Sequence, residues 1–191
     1  MCYCKEKIKN MKTVYKGKLF HVLRDEKTRF EKVIRPPGIR IITETEEGFI
    51  MNHEIRKHSG DKRLPYLPGG KVFESVAEWT SLPKGTELML DICETAKKEA
   101  REEQGIEILK FKYLEKVECT NKIEWDLHYI QVLEFKEVEQ SLEHDENIER
   151  IIIPRNEIRK LIFSRNFKEK QSAFVLLKYL EENPTFTASR K

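Results

Sequence analysis

The chain lacks most of the features that mark membrane, secreted or nucleic-acid-binding proteins. No apolar run approaches the ~20 residues needed to span a bilayer. Lys5, Lys7 and Lys9 stand near the start, but no apolar stretch follows them as it does in a secretory signal. Neither charge sign dominates: 36 basic residues meet 33 acidic ones, for a net +3, without the basic excess expected of a nucleic-acid or membrane-surface protein. The four cysteines are Cys2, Cys4, Cys93 and Cys119. Cys2 and Cys4 are one residue apart rather than two, so they do not form the usual metal or redox spacing, and all four read as reduced thiols of a cytoplasmic protein. Histidines 21, 53, 58, 128 and 144 show no metal-ligand spacing. Internal repeats and low-complexity segments are also missing.

What is present is a 191-residue chain, 39% hydrophobic and 36% charged, long enough for one domain with a real core under a heavily charged surface. Loose alternation over Val14–Ile34 predicts two strands with a charged turn near Arg24–Lys27. RPPG at Arg35–Gly38 breaks the chain, and two further strands follow around a turn at Glu46–Gly48. After a helix ending at Gly105 come two strands, an acidic loop (QSLEHDENIE), a short strand (RIII) and two helices. The irregular interleaving predicts a mixed α/β (α+β) domain.

One stretch carries chemistry. ICETAKKEAREEQGIEI (Ile92–Ile108) places Glu99 and Glu103 four residues apart on one helix face, with Glu102 flanking them. Ile92, Ala96 and Ala100 form an apolar stripe beside that face. Asp91 is placed as N-cap with Glu94 completing a capping box, and Gly105 suits a left-handed C-cap. Like charges at this spacing repel on a helix. A hard divalent cation, which takes oxygen ligands, is one compensation; a solvated charged face is the other.

KEAREEQGI (Lys98–Ile106) closely resembles the second half of the Nudix box, with Glu99, Glu102, Glu103, Gly105 and Ile106 in register and LPGGK upstream resembling the approach to the box. The flanking YKGKLFHVLRDE, FEKVIRPPGIRIITETEEGFIMNHEIR and EHDENIERIII look like the ADP-ribose pyrophosphatase branch, so the resemblance covers roughly Tyr15–Leu180. There are departures. Gly70 to Lys98 spans 28 positions where the family has fourteen, so about fourteen residues are inserted. Leu90 stands at the first box Glu and Lys98 at the box Arg, and Glu94, Glu87 or Glu74 is expected to brace Lys98 instead. Where the ADP-ribose enzymes carry a proline in an SPG-like loop, this chain has Lys122.

The resemblance implies a Nudix-type mixed-sheet α/β/α sandwich with an N-terminal two-strand element. Residues 1–35 form that element, expected to make a homodimer; 36–181 form the hydrolase domain, with the insertion near 74–88; 182–191 are a loose tail. It implies metal-dependent hydrolysis of a pyrophosphate bond in a nucleoside diphosphate derivative such as ADP-ribose or another nucleotide sugar. Mg2+ or Mn2+ would be held by Glu99, Glu102, Glu103 and the Gly69 carbonyl. Catalysis would involve Glu102 and Glu103, with Glu146 as general base ahead of Glu143 and Asp145. Arg56, Tyr66 and Gly70 would bind substrate; Arg35, Arg40 and Trp125 are weaker candidates. Two alternatives stay open: a Nudix hydrolase of nucleoside triphosphates or capped RNA, and a non-catalytic nucleotide-binding domain.

Overall fold

A proline-containing break organises the sheet. The computed structural model describes residues 11–55, 62–83, 85–144 and 147–185. Strands β1 (Met11–Lys16), β2 (His21–Asp25) and β3 (Glu31–Ile34) form an antiparallel element. Arg35–Pro37 then interrupts the chain before β4 (Gly38–Glu44), since proline offers no amide to a ladder. Both β3 and β4 run parallel to the long strand β8 (Ile123–Glu137), which pairs along its other edge with β7 (Ile106–Thr120). β4 turns into β5 (Phe49–Ile55), which pairs with β6 (Arg63–Tyr66) and β9 (Ile148–Ile153). The result is one mixed nine-stranded sheet.

Helices cover both faces, because successive residues of a strand point to opposite sides. From β4, Ile39 and Ile41 bury against Ile92, Ala96 and Ala100 of helix α2 (Met89–Glu99) and its continuation. Ile42 points the other way, into a cluster with α3 (Arg155–Phe163) and α4 (Lys170–Glu182). The three-layer mixed α/β architecture expected from the sequence is what forms.

Three expectations are corrected. The N-terminal element has three strands rather than two, because a turn closed by Gly17 N–H donating to the Phe20 carbonyl (2.8 Å) splits the alternating stretch. The helix begins at Met89, not after Asp91, and no capping box forms. Leu88 already accepts the Ile92 amide (2.9 Å), which puts Asp91 in the first turn, where its charge suits the helix dipole. The inserted segment is not a bare loop: it holds a short helix, α1 (Val76–Ser81), capped by the Ser75 hydroxyl accepting from the Glu78 amide. Val76 and Trp79 of α1 pack with Leu23, Ile34 and Met11 of the N-terminal strands. The tail beyond Thr185 lies outside the described residues, as do Cys2 and Cys4; Cys93 and Cys119 are free thiols. Among the described residues no helix is long and apolar enough to cross a membrane.

Candidate active site

The carboxylate helix changes pitch where the chemistry is expected. α2 continues from Ala100 to Gln104 as a π-helical turn, whose wider i→i+5 winding is rare and concentrates at functional sites. Gly105 closes it in the left-handed conformation (φ 64°), its amide donating to the Ala100 carbonyl. Two further helix-end carbonyls are held from outside. Gln140 Nε2 donates to the Glu103 carbonyl (2.7 Å), and Arg150 Nη1 donates to that of Gln104 (2.9 Å). The Gln104 side chain is fully buried and accepts from Thr43 Oγ1 (2.9 Å). Arg150 also forks onto Glu137 (2.6 and 2.8 Å), and this holds the Glu137 carboxyl below its usual range.

This clamped turn presents two carboxylates to adjacent glycines. Glu103 is only 6% exposed, and its Oε2 accepts from the Gly69 amide at 2.7 Å. Glu99 lies against Gly70: a Cβ there would fall 1.9 Å from Glu99 Oε1. Gly69 has φ 143°, and a Cβ would come within 2.2 Å of the Ile39 carbonyl oxygen, so only glycine fits. The segment is fixed to the edge of β4 by the Ile39 amide donating to the Gly70 carbonyl and the Ile41 amide to that of Pro68 (both 2.9 Å). The Gly69 carbonyl takes no part in this ladder.

Glu102 is used differently. It pairs with Lys98 (3.2 Å), and Lys98 also donates to Glu143 of the acidic loop (2.9 Å), so the ammonium is held charged well above its usual range. The expected bracing of Lys98 by Glu94, Glu87 or Glu74 is therefore replaced: the acidic loop folds back within reach, while Glu74 pairs with Lys71 (2.8 Å) and Lys18 (3.8 Å). Among the described residues no three His, Cys, Asp or Glu side chains gather as a ready-made metal centre. The donor set still suits a hard cation. Glu99 and Glu103 converge on the Gly69–Gly70 turn, and the space a Cβ would fill at Gly70 is occupied by a carboxylate.

These groups line one cleft of about 260 Å³. Glu99 and Glu103 line it together with Arg35, Arg40 and Trp125, and the Glu103 charge acts on the Arg40 guanidinium. The Arg35 guanidinium lies 4.0 Å from the Trp125 ring centroid and 5.4 Å from that of Phe20, a cation–π stack at the rim. Arg40 is 7% exposed and forks onto Glu169, just ahead of α4 (2.5 and 2.7 Å). Gly70 and Glu143 also line the cleft. Tyr66, expected to bind substrate, is not among the residues lining this cleft: it is 7% exposed, on β6 opposite Asn52. Arg56, Asp145 and Glu146 lie outside the described residues. The sequence reading missed Glu169, Gln140 and Arg150, for which no local pattern exists. It ranked Arg35, Arg40 and Trp125 low, though all three line the cleft.

No family model matches the chain, and no curated protein does. Solved structures do match. The crystal structure of an ADP compounds hydrolase aligns at TM-score 0.63 and 17% identity over 92% of this chain and 94% of its own. A MutT structure, from work on the fish pathogen Aliivibrio salmonicida and on Vibrio cholerae, aligns at TM-score 0.50 and 11% identity over 76% of this chain and 97% of its own. The fold is that of the Nudix hydrolases, as the resemblance in the sequence implied.

Proposed function

We propose that the protein is a metal-dependent pyrophosphohydrolase that splits the phosphoanhydride of a nucleoside diphosphate derivative, such as ADP-ribose or another nucleotide sugar. One observation carries this reading: Glu99, at the end of α2, and Glu103, in the clamped π-turn, converge on a glycine pair in a cleft that Arg35, Arg40 and Trp125 also line. Glu99 and Glu103 would hold Mg2+ or Mn2+, with the Gly69 carbonyl beside them. When bound, the metal neutralises phosphate oxygens and acidifies the attacking water.

The chain's own residues do the rest. Gln140, Arg150 and Gly105 fix the helix end so that Glu99 and Glu103 need no reorganisation when the cation arrives. Arg35 and Trp125 give the substrate a flat cationic wall. Glu102, drawn toward Lys98, acts as an outer brace that ties the helix to the acidic loop. The general base belongs to that loop, with Glu146 our candidate; Glu143 already accepts from Lys98. Arg56 would add a phosphate clamp.

The insertion bears on the rival, non-catalytic reading. Its helix docks on the N-terminal strands rather than over Glu103, so it does not close the cleft. Substrate identity within the class stays wide. Asn121–Lys122 is a tight turn between β7 and β8, with no long loop like that of the ADP-ribose enzymes. The exposed β1, paired only with β2 among the described residues, suits a homodimer interface, and the free thiols Cys93 and Cys119 suit the reducing cytoplasm.

The test is coupled phosphate release from ADP-ribose, ADP-glucose, GDP-mannose, NADH, diadenosine polyphosphates and nucleoside triphosphates with Mg2+ or Mn2+. Turnover on an ADP- or GDP-linked compound that needs metal and falls by about a hundredfold or more in Glu103→Gln supports the proposal; the comparison is the ~10–100-fold typical of outer-shell metal partners. No turnover on any compound, with nucleotide and metal still bound, would overturn it in favour of the binding-only reading.

A further inference from the structure

We infer that Arg40, backed by Glu169, forms a built seat for a phosphate oxygen of the substrate in the cleft that the carboxylates Glu99 and Glu103 also line. A guanidinium has five N–H donors in a fixed fork. Arg40 engages three of them: Nε to Glu169 Oε2 (2.7 Å), Nη2 to Glu169 Oε1 (2.5 Å) and Nη1 to the Ile39 carbonyl (2.7 Å). The other two have no acceptor among the described residues, although the side chain is more than nine-tenths buried and lines the cleft beside Gly69 and Glu103.

Leaving donors of a buried cation unmade is unfavourable. A site that keeps them open to a cleft is shaped for an acceptor that arrives later. The Ile39 carbonyl that Nη1 grips is the one against which Gly69 packs, so the guanidinium sits at the glycine turn itself. Glu169 is not wholly committed to Arg40. Its carboxylate also accepts from the Ser172 hydroxyl, which is in contact with the Tyr129 hydroxyl (3.1 Å). The carboxylate holds the fork through Nε and Nη2, while Arg40 itself lines the cleft. An anhydride bound in the cleft would meet both the cation-bearing carboxylates and this fork. The fork's planar donors fit the tetrahedral oxygens of a phosphate and are charge-matched to it. Glu169 is a positioning residue; Arg40 touches the ligand.

The seat rests on the hydrolase reading for its substrate but not for its geometry, so it is tested without turnover. Binding of inorganic pyrophosphate is measured by calorimetry in EDTA for the wild type, Arg40→Lys and Glu169→Gln, with thermal unfolding of each as the folding control. Arg40→Lys keeps a charge for Glu169 but loses the fork, and is expected to weaken binding about tenfold. Glu169→Gln keeps the shape but removes the compensating charge, and is expected to tighten binding several-fold. A merely structural pair would not give opposite signs. The KM for any compound that is turned over should move in the same opposite directions. Unchanged binding in both variants, the same sign in both, or no pyrophosphate binding by the wild type would overturn the seat. Binding with the expected pattern but no hydrolysis of the substrate panel would uphold the seat and overturn the hydrolase.

Discussion

The two walls of the cleft are built in opposite ways. The acidic wall comes from five consecutive residues of one helix end, Glu99 to Glu103, and needs only local winding and a glycine turn to receive it. The cationic wall is assembled from Arg35, Arg40, Trp125 and Glu169, drawn from the break after β3, from β4, from β8 and from the start of α4. A local wall tolerates changes elsewhere as long as its own few residues survive. A dispersed wall reports on the whole fold and can be retuned one residue at a time.

The sharpest way to break the acidic wall is at its two glycines, where one substitution has two different consequences. Gly69→Ala drives a Cβ into the Ile39 carbonyl and demands φ 143° of an L residue. Neither the backbone nor the strand behind it can yield cheaply. The expected loss is at least ~1–3 kcal/mol for the strained backbone alone, with the overlap added, and it is read as a lowered denaturant midpoint. Gly70→Ala meets only the mobile end of Glu99. Its unfolding midpoint should stay near that of the wild type, while apparent metal affinity and kcat/KM fall by roughly 10–100-fold as the carboxylate is pushed aside. If Gly70→Ala retains full metal affinity, Glu99 is not a ligand.

That contrast also shows what the sequence could disclose. The helix end with its Gly105 cap and the glycine pair are local patterns, and each is found where the residues suggested, although the helix starts earlier than Asp91. The π-turn was not legible, because an i, i+4 pattern does not announce a widened turn. Nor was the third N-terminal strand, because Gly17 interrupts an alternation that otherwise runs on. The burial of Tyr66 was not legible either, because it is decided by pairing with β5 and not by its neighbours in the chain. Arg40 and Glu169 stand 129 residues apart, and nothing in either segment points to the other.

A milder perturbation asks how far the acidic wall depends on outside support. Arg150→Met removes the donor to the Gln104 carbonyl and leaves Glu137 without its fork. A hydrogen bond from a charged group contributes ~1.5–3 kcal/mol, with the lower end expected here because Glu137 is exposed. The unfolding free energy should drop by about that amount. Amide exchange at Glu103 to Gly105 should speed up more than exchange in α4, because the loss is centred on the helix end.

The smallest effect follows from the same pair through pH. Arg150 lowers the Glu137 carboxyl in the folded protein, chiefly by hydrogen bonding. The folded state therefore binds the proton less readily than the unfolded one. The stabilisation is complete above the unfolded value of about 4.5 and is lost as pH falls through the depressed folded value. Since the Glu137 side chain is 60% exposed, solvent screening limits the contribution to ~1 kcal/mol or less. Glu137→Gln should flatten the acid limb of the stability curve by that small amount and leave stability above pH 6 lower by the same amount. Added salt should shrink the difference. An acid limb identical in the variant would mean that Arg150 caps Gln104 without help from Glu137, and that the helix end is held by the backbone contact alone.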